Sequence, residues 1–166
     1  MNKKRLTLGL LLVGTLALIA CNPATEEIDP LSQLQETGEC LDCNLAGADL
    51  REFNLENARL NRSNLSGANL SSMNLRRALL DQVNLAGADL SGANLTEAAL
   101  TEANLAGADL SGVNLERGFL RNTNLTGANL KGANLTGANL TAADLTDADL
   151  DGVKFGETIM PNGDRR

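Results

Sequence analysis

Leucine recurs at every fifth position from Leu45 through Leu150 without a break, and its neighbours repeat with it. Most units read small residue, Asn or Asp, Leu, then two polar or small residues, as in Ala48-Asp49-Leu50, Ala68-Asn69-Leu70 and Ala133-Asn134-Leu135. A period of five fits neither an amphipathic helix near 3.6 nor a plain alternating strand. In a short extended segment successive side chains point to opposite faces, so the small residue and the leucine two positions later share one face while the Asn or Asp between them takes the other. Leucine and alanine therefore line an interior, and the two remaining residues turn a corner. Glycine often stands second after the leucine, as at Gly47, Gly67 and Gly107, where it supplies the positive φ of a type II turn. The pattern predicts an all-β solenoid over residues 43–155. One coil cannot bury its own leucines, so stacking of coil on coil is what stabilises such an array.

The repeat resembles the pentapeptide-repeat family, and units such as Asn57-Ala58-Arg59-Leu60 and Arg117-Gly118-Phe119-Leu120 depart from it only before the leucine. The resemblance implies a right-handed quadrilateral β-solenoid with four pentapeptides to a coil, hence about five to six coils here. Residues twenty apart then stack at about 4.8 Å, and surface columns can be read from the sequence. The inward column Ala48, Ala68, Ala88, Ala108, Ala128, Ala148 is uniform, while its neighbour Phe53, Met73, Ala93, Val113, Ala133, Val153 is bulkier toward the N-terminal end.

The ends of a solenoid expose leucines and unpaired backbone and need covers. Asp29-Pro30 reads as the start of a short capping helix that runs to Gln35–Thr37, ends at Gly38 and sets Leu31 and Leu34 on one face. Residues 29–42 form this cap in the sequence reading. After Phe155 the pattern stops, and residues 156–166 read as a tail in which Ile159 and Met160 fold over the other end.

Ahead of the cap, Lys3, Lys4 and Arg5 precede the uncharged apolar run Leu6–Ala20, which reads as an export signal over residues 1–20. Its end, Leu18-Ile19-Ala20-Cys21, resembles the lipobox of bacterial lipoproteins. That resemblance implies cleavage before Cys21, lipidation of Cys21, a tether over residues 21–28, and an extracytoplasmic protein anchored to a bacterial membrane. Two or more acyl chains hold a protein on a bilayer durably. Loss of the signal would take the net charge from −7 to −10. Such acidity argues against nucleic acid and suits cations or a basic partner.

Cys40 falls on a leucine-type position and Cys43 on an alanine-type position, with Leu41-Asp42 as the corner between them. Turn ends lie under about 7 Å apart, which accommodates a disulfide in an exported protein. Two buried free thiols and a redox-active pair stand as alternatives. Members of the family from cyanobacteria and the chloroplast lumen also carry cysteine pairs just ahead of the first coil, as this segment does. The chain has no histidine, and two thiolates alone do not close a zinc site, so no metal or cofactor is assigned.

Leu79, Ala99 and Phe119 take the outward position usually held by Asn or Asp, and they lie twenty residues apart. They predict one exposed apolar column ended by Arg59 and Asn139, a candidate contact for a protein partner or a second copy. Arg77, Glu97 and Arg117, with Arg76 and Glu116, predict an ion-pair ladder beside it. Asp49, Asp89, Asp109 and Asp149, and the cluster Asp144, Asp147, Asp149, Asp151, offer carboxylates to a cation. Thr96 with Thr136 and Thr126 with Thr146 form short ranks that an ice-binding surface would need longer. Without histidine, a phosphate loop or a paired-carboxylate cleft, no catalytic residue and no small-molecule substrate are assigned. The reading is a membrane-anchored structural or protein-interaction module of the cell envelope. Its alternatives are an acidic DNA mimic that binds a type II topoisomerase, as some family members do, and a cation-binding surface protein.

Overall fold

The computed structural model describes residues 29–166. Cys21, the signal expected over residues 1–20 and the tether expected over 21–28 lie outside them. Every leucine of the repeat from Leu45 to Leu140 is buried, joined by Ala68, Ala88, Ala108 and Ala128. The fold is a four-sided right-handed β-solenoid in which each coil advances twenty residues: Asn64 pairs in parallel with Asn44 on one side and Asn84 on the other. Each junction carries a repeated set of backbone bonds. Leu65 N–H donates to Asn84 C=O at 2.7 Å, Asn84 N–H to Ser63 C=O at 2.9 Å, and the corner Gly67 N–H to Ala86 C=O at 3.0 Å. Outward residues thus form four ladders, named here the Leu79, Asn84, Asp89 and Asn94 faces.

The corners adopt the left-handed φ whether or not glycine is present. Gly47 has φ 68°, Asn57 60°, Arg77 58° and Glu97 59°. An L-residue in this region costs about 1–2 kcal/mol, which the coil-to-coil bonds offset. Among the described residues, Glu52 is the one second corner residue between Asp42 and Glu157 that stays out of that region, and its neighbour Asn54 makes no bridge to Asn74. The inward position of this rung holds Phe53, larger than Met73 and Ala93 of the same column and only partly buried against the core.

At the N-terminal end, helix α1 (Pro30–Thr37) forms as its sequence dictates. Asp29 accepts from Ser32 N–H at 3.1 Å, proline occupies the first turn, and Gly38 at φ 69° closes the helix with its N–H on Leu34 C=O at 2.9 Å. Leu34 is buried on the first coil. The ladder starts at Glu39, which bridges Arg59, four residues ahead of the boundary expected at Cys43.

The C-terminal end departs from the expected tail. The coil continues through Met160, with Thr158 inward and fully buried and Ile159 outward, bridged to Asn139. Ile159 and Met160 therefore extend the ladder rather than fold over the end. Thr158 is small enough for an alanine position, and its hydroxyl is satisfied by Leu135 C=O at 2.6 Å. The chain then turns at residues 161–164 and runs back antiparallel, exchanging two bonds between Thr158 and Arg166 (3.1 and 3.0 Å) and setting the Arg166 guanidinium 5.3 Å from the Phe155 ring centroid.

Candidate interaction face

Three of the four faces satisfy themselves. On the Asn84 face each amide donates to the asparagine of the preceding coil, Asn84 to Asn64, Asn104 to Asn84 and Asn124 to Asn104, all at 3.1 Å. Each side-chain oxygen also accepts the backbone N–H two residues on, as Asn84 Oδ1 does from Ala86 at 3.2 Å. The Asp89 face repeats this with Asp89 and Ser91 N–H (2.9 Å) and Asp109 and Ser111 N–H (2.9 Å), and the Asn94 face with Asn94 and Thr96 N–H (3.1 Å). An outward Asn or Asp thus caps its own corner.

The Leu79 face breaks this arrangement. Arg59, Leu79, Ala99, Phe119 and Asn139 bridge in series, so the structure brings the three expected residues into one unbroken column with a polar residue at each end. Leu79 is 39% exposed and Phe119 52%, while Ala99 is half-buried. None of the three has a side-chain oxygen for the corner that follows it. At Ala99 the orphaned Thr101 N–H turns instead to Asp81 Oδ1 of the preceding coil, at 3.0 Å. An asparagine would make the local bond and face water, so stacking does not call for leucine or phenylalanine here.

Charged corners flank the column. On one side Arg77 pairs with Glu97 at 2.7 Å, Glu97 with Arg117 at 3.6 Å, Arg117 with Glu116 at 3.8 Å, and Arg76 with Glu56 at 3.3 Å, the ladder expected from sequence. The Arg77 guanidinium holds the Glu97 carboxyl below the usual range. On the other side Arg62 pairs with Asp42 at 2.6 Å and Gln82 donates to Glu102 at 2.8 Å. These pairs are exposed and each stabilises the fold by about 0–1 kcal/mol at most. Their service is to fix where charge stands around the apolar strip.

The structure joins Cys40 to Cys43 across the first corner, with Cα atoms 5.5 Å apart. Sequence reasoning missed the third member of this corner. Ser63 donates its hydroxyl to Cys40 C=O at 2.5 Å and accepts Cys43 N–H at 3.0 Å, standing between the two groups that bond directly at the corners of the middle coils. Thr123 likewise donates to Leu100 C=O at 2.8 Å from a buried position. The available signal was a hydroxyl residue on an alanine position, twenty-three residues beyond a leucine-type carbonyl.

The carboxylates do not converge. Among the described residues no three His, Cys, Asp or Glu side chains come close enough to hold a metal ion. Asp49 is turned to Arg51 at 2.6 Å, which with the Arg51 backbone N–H lowers its pKa to about 2. Asp151 is turned to Lys131 at 3.2 Å. Threonine hydroxyls are spent in the same way: Thr96 on Asn94 and Thr126 on Asn124, both at 2.6 Å, and Thr136 on Asn134 at 2.7 Å.

The chain is similar to several known proteins. A protein of Synechocystis sp. (slr0516) is 81% identical over 63 residues, a stretch covering 38% of each chain. The pentapeptide repeat protein Rfr23 of the cyanobacterium Cyanothece 51142 is 34% identical over 78% of this chain and 92% of its own, with a TM-score of 0.47. A pentapeptide repeat protein of the Arabidopsis thaliana thylakoid lumen is 33% identical over 67% of this chain and 68% of its own, with a TM-score of 0.44. The family model for pentapeptide repeats matches residues 43–82, 78–117 and 120–156, all within the leucine-lined coils, and the chain belongs to the pentapeptide-repeat family.

Proposed function

We propose that this protein is a non-enzymatic interaction module that presents its Leu79 face to a protein partner from the surface of a bacterial membrane, held there by lipid on Cys21. The observation that carries the reading is the replacement of Asn or Asp at positions 79, 99 and 119, where an asparagine would gain a bond and lose exposed apolar surface. An aromatic ring flanked by arginines is the chemistry on which interface energy concentrates. The lipid anchor rests on the residues Leu18 to Cys21 and their basic and apolar lead.

The test is capture of partners from detergent-solubilised bacterial envelope by the wild-type chain and by Leu79→Asn/Phe119→Asn. The proposal expects a protein captured by the wild type alone; identical captures contradict it. Separately, labelled palmitate is expected to enter the wild-type chain and not Cys21→Ser, and a Cys21→Ser chain that labels equally would refute the anchor.

A further inference from the structure

We propose, resting on the interaction role of the Leu79 face, that one occupant of this face is a second copy of the same chain, laid antiparallel across it. Three observations point there. First, the column has a high, low, high profile: Leu79, then Ala99, then Phe119, at successive rungs of one ladder. A two-fold axis between the Ala99 and Phe119 rungs sets each Phe119 over the other copy's Ala99, large on small. The two rings then lie side by side, one rung of about 4.8 Å apart, within the range that aromatic pairs favour.

Second, the same axis sets Glu97 of each copy opposite Arg117 of the other, because these residues occupy the same two rungs on one corner. Arg117 has donors to spare: its side chain is 67% exposed and its contacts to Glu97 and Glu116 are long, 3.6 and 3.8 Å. An axis through Ala99 would instead oppose Arg77 to Arg117 and Glu97 to itself, so charge selects the register.

Third, the signs alternate along this corner at the coil spacing, Arg77, Glu97, Arg117. An anionic lipid surface gains nothing from such alternation, since the opposing signs cancel over a few ångströms. A partner whose own charges repeat at the rise of a β-ladder does gain, and this chain is such a partner. A single face of five rungs falls short of the roughly 800 Å² per partner of a standard interface, so the pairing is weak and concentration-dependent.

The experiment is sedimentation equilibrium of the full-length chain in detergent, from micromolar to about millimolar, with circular dichroism as the control for folding. The wild type is expected to enter a monomer–dimer equilibrium. Phe119→Asn, which restores the common residue of the repeat, is expected to weaken it by about a hundredfold or more, since two rings lose their burial. Glu97→Arg and Arg117→Glu are each expected to be monomeric alone, because like charges then meet across the axis. Mixed in equal amounts they regain a dimer, because every cross-axis pair is again opposite in sign. A folding defect in either variant could not produce that recovery. A wild type that stays monomeric throughout overturns the second copy as occupant, while the interaction role of the face still stands or falls on the envelope capture. A wild-type dimer unaffected by Phe119→Asn, or a mixture that stays monomeric, overturns it as well.

Discussion

The Leu79 face and the Asp89 face lie on opposite sides of the same coils, and their backbones are bonded alike. Leu80 N–H meets Ala99 C=O at 2.8 Å on one, and Leu90 N–H meets Asp109 C=O at 2.8 Å on the other. Beneath both, leucine and alanine are buried to the same degree. The surfaces differ because the backbone and the inward residues already stack the coils, while the outward residue adds only its corner cap and, where it is asparagine, a bond to the coil before it. The Asp89 face keeps that cap at each rung from Asp89 to Asn129, with Lys131 N–H on Asn129 Oδ1 at 3.2 Å. The Leu79 face gives it up at three successive rungs. Inward positions are fixed by the fold and outward ones are free to be set by use, so a run of non-capping apolar residues is where function is to be sought.

The largest expected effect tests the shared half of this comparison. Leu100→Ala, under the Leu79 face, and Leu110→Ala, under the Asp89 face, should each lower stability by about 2–5 kcal/mol and by similar amounts in denaturant titration. A large inequality would show that the faces differ in the core as well as at the surface. Next in size is Ser63→Ala. It removes two hydrogen bonds and leaves Cys43 N–H without its partner, so a loss of about 1–3 kcal/mol is expected; Thr123→Ala removes one bond and should lose less.

Outward substitution comes below these. Leu79→Asn and Phe119→Asn should leave the melting temperature unchanged or raise it slightly, since each restores a corner cap. A clear drop would mean that the apolar column stabilises the fold. The smallest effect is acid dependence on the Asp89 face. Asp49 has a folded pKa of about 2 against an ordinary value of 3.8, so its contribution is present above about pH 4 and is lost as pH falls toward 2. Asp49→Asn should flatten the stability profile in that window and slightly lower the plateau above it, at pH 7 included.

The architecture was legible because one residue type at one period states both what is buried and where the chain turns. The helix Pro30–Thr37 was legible for a similar reason: Asp29, Pro30 and Gly38 are local signals that act without tertiary help. The column Leu79, Ala99, Phe119 emerged once twenty residues were taken as one coil. Three features were not legible. Thr158 and Met160 hid the last turn of the coil because they stand where the repeat is otherwise read from alanine and leucine. Phe53 was legible as a bulky member of its column, but the missing bridge from Asn54 to the next coil and the altered corner at Glu52 were not. Ser63 showed as a plain substitution until the fold set it against Cys40, far away in sequence.

If the Leu79 face, and not the surface opposite, meets other proteins, the two faces must differ in what they touch in the cell. Site-specific photocrosslinking tests this most directly, with the reactive residue placed at Phe119 in one chain and at Asp109 in another, both irradiated in intact bacterial cells. A discrete crosslinked adduct is expected from position 119 and none from position 109. Equal adducts from both positions, or one from position 109 alone, would contradict it.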